Sequence, residues 1–180
     1  MSPSSSPPPV ELVLGGARSG KTALALARAE ASGLAPVMVA TAQAFDAEME
    51  ARIAAHRAER DGRWTTVEES RDLLGALRRE AGAGRILVVD CLTLWLSNLL
   101  LAEADVEAQI ETFAAALSGL AGPVVLVSNE VGLGIVPENA LARRFRDLQG
   151  RLNRTVAAVA DRVTFVAAGL PLVLKGGERG

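Results

Sequence analysis

GGARSGKT, residues 15–22, is the segment from which the fold of this chain can be predicted. It matches the pattern G-x-x-x-x-G-K-[ST] and lies between the apolar run ELVL (11–14) and the helix-favouring run TALALARAEAS (22–32). A strand before the glycines and a helix after them is the setting of a phosphate-binding P-loop. Glycine lets the backbone approach a phosphate closely, and the N–H groups at the helix N-terminus then point at its oxygens. The alternative is an ordinary glycine-rich turn.

Two side chains at the end of this segment predict the chemistry of the site. Lys21 can bridge the terminal phosphates of a nucleoside triphosphate, and the Thr22 hydroxyl can bind Mg²⁺. Asp90 ends the apolar run RILVVD (85–90), where folds of this kind place the acid on the metal side. As an alternative, Asp90 caps the helix predicted for CLTLWLSNLL (91–100). These features predict a Mg²⁺-dependent enzyme of nucleoside triphosphates and leave its acceptor open.

Short apolar runs recur along the chain, with helical patterns between them. They are rich in β-branched residues and do not alternate, as in strands that a parallel sheet buries on both faces. Strands are predicted for 11–14, 36–40, 85–90, 123–128 and 162–168. Helices are predicted for 22–32, 46–60 and 73–80, for a pair within 91–118, and for a long segment from Pro137 toward Ala160. This order predicts a single-domain α/β fold, with a mostly parallel sheet flanked by helices and right-handed crossovers.

The long helix predicted from Pro137 has an apolar face that repeats in steps of four and three residues. Proline suits the first turn of a helix, which is why the predicted start lies there. The apolar face comprises Leu141, Phe145, Leu148, Leu152, Val156 and Val159. It should pack this helix against the sheet.

Composition and charge restrict the class of ligand. The chain of 180 residues has a net charge of −2 and 3% aromatic residues, so neither a basic field nor stacking platforms for nucleic acid are expected. No uninterrupted apolar run reaches membrane-spanning length, and one cysteine, Cys91, gives no disulfide framework. We therefore expect a cytoplasmic protein with a small ligand, no nucleic-acid partner and no membrane insertion.

The chain is expected to have a core and two short ends. Residues 1–10, MSPSSSPPPV, are rich in proline and serine and lack the charges and apolar centre of a secretory signal, which predicts a flexible leader. Residues 11–175 form the predicted domain. The final KGGERG, after Leu174, is predicted to fray, and 176–180 are assigned to a flexible tail.

The sequence contains one histidine, His56, in the segment RIAAHRAER (52–60). Arg52 and Arg60 lie four residues away on either side, so a helix would place these three side chains on one face. The like charge of the arginines lowers the pKa of the imidazole and favours its neutral, nucleophilic form, and guanidinium groups also suit a triphosphate. The alternative is a surface helix with a basic edge and an incidental histidine.

Four segments, in order, resemble one enzyme family. They are GGARSGKT (15–22), VATAQAFDAEMEARIAAHRAERDGRWTTVEE (39–69), VVDCLTLWLSNLL (88–100) and VSNEVGLGIVPENALARRFRDLQGRLNRTVA (127–157). From Glu11 to about Lys175 the chain resembles the bifunctional adenosylcobinamide kinase / adenosylcobinamide-phosphate guanylyltransferase of cobalamin biosynthesis. The histidine segment and the loop SNEVGLGIVPEN (128–139) are more specific to that family than the P-loop is.

The resemblance implies two reactions on a recombinase-like P-loop fold. ATP or GTP phosphorylates adenosylcobinamide, and GMP then passes from GTP to adenosylcobinamide phosphate through a GMP-histidine intermediate, with release of pyrophosphate. It assigns the GMP-carrying role to His56 and implies a homotrimer. The alternatives are a single-function small-molecule P-loop kinase and a nucleotide-binding module without catalysis.

The resemblance also implies the residues of the site. Catalysis is assigned to His56 and Lys21, and Mg²⁺ binding to Thr22 and Asp90. Nucleotide contacts are assigned to Gly15, Gly16, Ala17, Arg18, Ser19, Gly20, Lys21, Thr22, Ala40, Thr41, Ala42, Arg57, Ala58, Glu59, Arg60, Glu68 and Asp90. For Glu68, which can accept hydrogen bonds from guanine, the alternative is a role at the start of a helix.

The loop 128–139 follows a predicted strand at the end where open α/β sheets bind ligands. Asn129 and Glu130 can meet the substrate or a water molecule near the transferred phosphate. The alternative is a structural loop in which Glu130 caps the next helix. Arginines 143, 144 and 146 are interpreted as solvated or, on the resemblance, as ligands of the corrinoid phosphate. Ala55 precedes the histidine where some family members carry a second one.

Overall fold

A mostly parallel sheet forms the centre of the computed structural model, which describes residues 9–43 and 62–177. The strands of the described residues are β1 (Val10–Gly15), β2 (Ala35–Ala40), β3 (Thr65–Glu68), β4 (Arg85–Asp90), β5 (Val124–Asn129), β6 (Arg162–Ala167) and β7 (Leu170–Lys175). Their order across the sheet is β3-β2-β4-β5-β1-β6-β7. β7 is antiparallel to β6, and the other neighbouring pairs are parallel. The carboxyl ends of β1 to β6 therefore meet at one edge.

Helices cover both faces of this sheet. They are α1 (Lys21–Ala31), α2 (Leu73–Glu80), α3 (Leu92–Leu101), α4 (Val106–Leu117) and α5 (Ala140–Val159). One face packs against α1, and the other forms the larger core with α2, α3, α4 and α5. Within the described ranges, no helix has both the length and the apolar character to cross a membrane.

The predicted fold class is confirmed, and the five predicted strands lie within one residue of their observed bounds. Two strands at the edges of the sheet escaped prediction: β3 lacks an apolar run, and β7 has one that is interrupted by Pro171. β3 is mostly exposed, and all six residues of β7 are exposed. Lys175 does not fray, since its Nζ donates to the carbonyls of Ala157 (3.1 Å) and Ala158 (2.9 Å) at the end of α5.

The predicted start of the long helix is wrong by three residues. Asn139 is the N-cap of α5, and its Oδ1 accepts a hydrogen bond from the Ala142 N–H at 3.1 Å. The asparagine side chain accepts a hydrogen bond from a free N–H group of the first turn, and a proline side chain has no acceptor for one. The helix therefore begins at Ala140, and Pro137 lies in the loop before it. The apolar face is buried at its centre but not at its ends, where Leu141 and Val159 are 53% and 39% exposed.

A buried ion pair ties α1 to the first strand. Glu11 in β1 is 2% exposed and pairs with Arg28 of α1, which is 22% exposed, while the Thr164 hydroxyl donates to Glu11 Oε1 at 3.4 Å. Burial lowers the pKa of Arg28, and the nearby charge of Arg162 lowers it further. The negative charge of Glu11 therefore compensates the cost of burying the Arg28 guanidinium.

Glu11→Gln is expected to lower the free energy of unfolding by about 2–3 kcal/mol, because it leaves the Arg28 guanidinium partly buried without a counter-charge. The measurement is urea denaturation followed by circular dichroism. The double variant Glu11→Leu/Arg28→Met removes both charges and should lose less stability than the single one. Equal stability of Glu11→Gln and the wild type would contradict this role.

Candidate active site

The P-loop joins β1 to α1 and requires glycine at both ends. Gly15 ends β1, and a Cβ there would meet the Ser19 hydroxyl and, at 2.6 Å, the carbonyl oxygen of Val166. Gly20 is the N-cap of α1 with φ +96°, and a Cβ there would lie 3.2 Å from Gly169 Cα. Because Gly20 has no side chain to cap the helix, the first N–H groups of α1 remain available to an anion.

Ser19 and Lys21 are the buried polar side chains of this loop, and both are suited to phosphate. The Ser19 hydroxyl has no hydrogen-bond partner among the described residues. Lys21 is 9% exposed, and its Nζ donates to the Gly16 carbonyl at 2.9 Å. Burial lowers the pKa of Lys21, and the negative charge of Asp90 opposes this shift. Asp90 therefore lies within electrostatic reach of the P-loop ammonium.

Strand register brings four predicted nucleotide residues to the carboxyl edge of the sheet. Ala40 at the end of β2 is the partner of Glu68 in β3 on one side and of Asp90 in β4 on the other. β5 lies between β4 and β1, and its last residue, Asn129, is the partner of Gly15. The acid, the P-loop and the segment that follows β2 therefore face one region.

Asp90 does not cap the helix that follows it, so that alternative is wrong. Cys91 is the N-cap of α3, and α3 begins at Leu92. Asp90 and the Thr22 hydroxyl, which lies in the first turn of α1, offer the oxygen donors that Mg²⁺ prefers. The described residues contain no cluster of three or more acidic, histidine or cysteine side chains for a metal.

Thr41 holds the turn between β4 and α3. Its hydroxyl donates to the Cys91 carbonyl at 2.7 Å and accepts from the Cys91 N–H at 2.9 Å, and the residue is fully buried. Asn98 donates to the Thr41 carbonyl at 2.9 Å. Thr41 thus supports the backbone beside Asp90, and its contact with nucleotide stays a prediction, as does that of Ala42.

Neither Glu68 nor Glu130 is the N-cap of the helix that follows it. Asp72 caps α2, and Glu69 Oε1 accepts from the N–H groups just before that helix, so neighbours of Glu68 form the helix start. Glu130 Oε1 accepts from the Gly132 N–H at 2.6 Å, within its own loop, while Asn139 caps α5. The N-cap positions of α2 and α5 are therefore occupied by Asp72 and Asn139.

The three arginines near the start of α5 do not share one environment. Arg143 Nη1 donates to the carbonyls of Pro137 (2.9 Å) and Glu138, so it supports the loop. Arg146 pairs with Asp147 at 3.0 Å. Arg144 lines an open cavity of about 340 Å³ with Leu100, Glu103, Ala104 and Leu141. Arg143 is therefore not simply solvated, because it is hydrogen-bonded to the loop before α5.

Five of the predicted site residues lie outside the described residues. They are His56, Arg57, Ala58, Glu59 and Arg60, and the whole helix predicted for 46–60 lies outside them as well. Their assigned roles stay predictions.

The comparison with known families decides the identity of this site. The family described as cobinamide kinase / cobinamide phosphate guanyltransferase matches residues 11–174. The chain belongs to this family. The match includes the P-loop, the histidine segment and the loop after β5, so the resemblance inferred from four segments is confirmed over the whole domain.

Curated relatives are similar to this chain over nearly their full length. The chain is 52% identical over 168 residues to the bifunctional adenosylcobalamin biosynthesis protein CobP of Pseudomonas aeruginosa, covering 92% of this chain and 97% of the relative. It is 39% identical over 181 residues to the bifunctional adenosylcobalamin biosynthesis protein CobU of Salmonella typhimurium, covering 91% and 98%. The protein is a kinase and a nucleotidyltransferase of cobalamin biosynthesis.

Solved structures confirm the recombinase-like fold of the cobinamide kinase / guanyltransferase. The RadB recombinase superimposes with a TM-score of 0.53 at 20% identity, over 88% of this chain and 74% of that one. The flagellar accessory protein FlaH of Methanocaldococcus jannaschii gives 0.52 at 11% identity, over 97% and 83%. At such low identity the likeness concerns the fold alone.

Sequence reasoning missed the polar side chains that support the site of this cobinamide kinase / guanyltransferase. Thr93 and Asn98 interrupt the apolar α3, and Gln149 and Asn153 interrupt the apolar face of α5. All four are buried. Their position within apolar helical faces could have predicted this supporting role, because a buried polar group requires a hydrogen-bond partner.

Proposed function

We propose that the two activities act in succession on adenosylcobinamide, with ATP or GTP as the phosphate donor. The acceptor hydroxyl attacks the γ-phosphorus: an O–P bond forms, the bond from the γ-phosphorus to its bridging oxygen breaks, and the hydroxyl proton passes to water. The P-loop N–H groups hold the phosphates, and the Lys21 ammonium stabilises the charge on the leaving nucleoside diphosphate. Adenosylcobinamide phosphate is the product.

The second reaction takes GMP from GTP through His56. The neutral imidazole attacks the α-phosphorus, an N–P bond forms, and the bond to the β-phosphate oxygen breaks to release pyrophosphate. A phosphate oxygen of adenosylcobinamide phosphate then attacks the same phosphorus, which restores the imidazole and gives adenosylcobinamide-GDP. His56 is the one histidine in the chain, so no other imidazole is available for this step.

Thr22 and Asp90 would hold Mg²⁺ with the nucleotide phosphates. Bound there, the ion supplies positive charge to phosphate oxygens during transfer. The nucleotide contacts assigned to residues 15–22, to Ala40, Thr41 and Ala42, to residues 57–60 and to Glu68 belong to this proposal. Its main support is the family match, which spans the P-loop and His56, together with the common edge at which Gly15, Ala40, Glu68 and Asp90 lie.

Two labelled forms of GTP, one labelled at the γ-phosphate and one at the α-phosphate, test this order of reactions. With adenosylcobinamide, γ-labelled GTP should place its label in adenosylcobinamide phosphate, whereas α-labelled GTP should label, among the corrinoids, only adenosylcobinamide-GDP, with one pyrophosphate released for each GMP transferred. Both products are separated by chromatography. Transfer of γ-label without any α-label would instead indicate a single-function kinase, and transfer of neither would indicate a binding module.

We also propose a cytoplasmic homotrimer. Exposed apolar side chains support self-association: Leu133, Ile135 and Val136 in the loop before α5, and Leu170, Leu172 and Leu174 on β7. The expected mass by sedimentation equilibrium is three times that of the 18.7 kDa chain. A monomer at micromolar concentration would contradict this assembly.

A further inference from the structure

Asn129 carries an amide that the described part of the chain holds in place without a hydrogen bond to its oxygen. It is the last residue of β5, and its Oδ1 is buried without a hydrogen-bond partner among the described residues. An amide oxygen shielded from water without a donor is costly, so such an atom calls for an explanation. Its position between β4 and β1 suggests one, because these strands carry Asp90 and the P-loop.

The pleat of the strands places Asn129 on the same face of the sheet as α1. In β5, Val125 and Val127 pack in the core on the α1 side, and Asn129 follows them at the same period of two. Val88 of β4 packs in that core as well, so Asp90 has the same orientation. The carboxamide and the Asp90 carboxylate therefore lie on the side of the sheet where α1 begins.

Hydrogen bonds fix the backbone of Asn129 on both sides. Thr93 Oγ1, in the first turn of α3, accepts from the Asn129 N–H at 2.8 Å. The Asn129 carbonyl accepts from Asn153 Nδ2 at 3.0 Å. Asn153 is in turn held through its Oδ1 by the Ser128 hydroxyl (2.7 Å) and Gln149 Nε2 (2.9 Å). The helix after Asp90 and the helix α5 thus position one side chain without occupying its amide.

We propose that the carboxamide of Asn129 binds the terminal phosphate of the nucleoside triphosphate, as a second contact beside Lys21. Its N–H donates to a γ-phosphate oxygen, and its oxygen accepts from the acceptor hydroxyl that is bound at that phosphate. An amide offers one donor and one acceptor side, which suits a point where phosphate and hydroxyl meet. This inference rests on the proposed use of the P-loop for GTP and ATP.

The test is calorimetric titration with Mg²⁺ and the α,β-methylene analogues of GTP and GDP, which cannot form the GMP adduct. Asn129→Ala should weaken binding of the GTP analogue about 10-fold and leave that of the GDP analogue unchanged, because one hydrogen bond to a charged phosphate is lost. Asn129→Asp, of the same shape, should weaken the GTP analogue further, since its charge repels the phosphate. Asn129→Ser serves if the other variants do not fold.

Thr164→Val is the matched control, because it removes a buried polar group on β6 that does not face the P-loop edge. It should leave the ratio of the two affinities as in the wild type. An unchanged ratio in the Asn129 variants, or an equal loss for both analogues, would show that Asn129 is structural and overturn the inference. Failure of the wild-type protein to bind the GTP analogue would instead count against the proposed function itself.

Discussion

His56→Ala is expected to carry no covalently bound GMP after incubation with α-labelled GTP and Mg²⁺, whereas the wild-type chain retains the label through denaturation. Guanylyl transfer should fall by about 10⁴-fold or more, as when a covalent nucleophile is removed from other enzymes. Since the chain has one histidine, no neighbouring imidazole can replace it. The measurement is scintillation counting of the denatured protein together with the rate of pyrophosphate release.

The adduct should behave as a phosphoramidate, labile to acid and stable to alkali. Phosphorylation of adenosylcobinamide by γ-labelled GTP should persist in His56→Ala, because that reaction does not need the imidazole. His56→Gln is the control for the size of the side chain, and it should behave like the alanine variant. Label retained by either variant, or none acquired by the wild type, would exclude His56 as the GMP carrier.

Lys21→Met is expected to lower both reactions by about 10³-fold, because each develops charge on phosphate oxygens that this ammonium stabilises. Nucleotide affinity should fall as well, since the P-loop N–H groups then hold the phosphates without the lysine. Steady-state rates of both transfers, at saturating adenosylcobinamide or its phosphate, give the measurement. A loss confined to the kinase reaction would mean that the two reactions use different nucleotide pockets.

The same variant should raise the stability of the ligand-free fold. Burial lowers the pKa of Lys21, so the folded chain holds this proton less tightly than the unfolded chain does. The cost of the buried charge is fully present at neutral pH and disappears as pH rises through the folded pKa toward the ordinary value of 10.5. Urea denaturation should therefore show Lys21→Met more stable than the wild type at pH 7, with a smaller difference at alkaline pH. If the wild-type protein were more stable than Lys21→Met at pH 7, this prediction would be wrong.

Local sequence was sufficient for the centre of the fold and for the phosphate-binding turn. β1, β2, β4 and β5 are largely apolar because a parallel sheet buries both of their faces, and this pattern needs no knowledge of the partner strands. The P-loop was predictable for a similar reason: its glycines, its lysine and its flanking strand and helix follow one another within a short segment, although Gly15 and Gly20 also face the distant residues Val166 and Gly169.

Tertiary structure decided the edges of the sheet and the support of the site. β3 is mostly exposed, so its sequence carries little of the pattern that burial imposes, whereas β7 is apolar in sequence yet lies fully exposed at the edge of the sheet. The alignment of Glu68, Ala40 and Asp90 depends on pairing between strands that are distant in the chain.

The roles of Asn129, Thr93 and Asn153 likewise depend on contacts that no local pattern contains. From the sequence, Asn129 was one polar residue of a loop, and two roles were left open for that loop: contact with the substrate, or structure alone. In the fold, hydrogen bonds to residues 36 and 24 positions away hold its backbone. The sequence by itself determined which segments form buried strands and which turn binds phosphate, because burial and helix geometry act locally. Which side chains meet at the carboxyl edge was decided by the order and register of the strands, because those are set by contacts between distant parts of the chain.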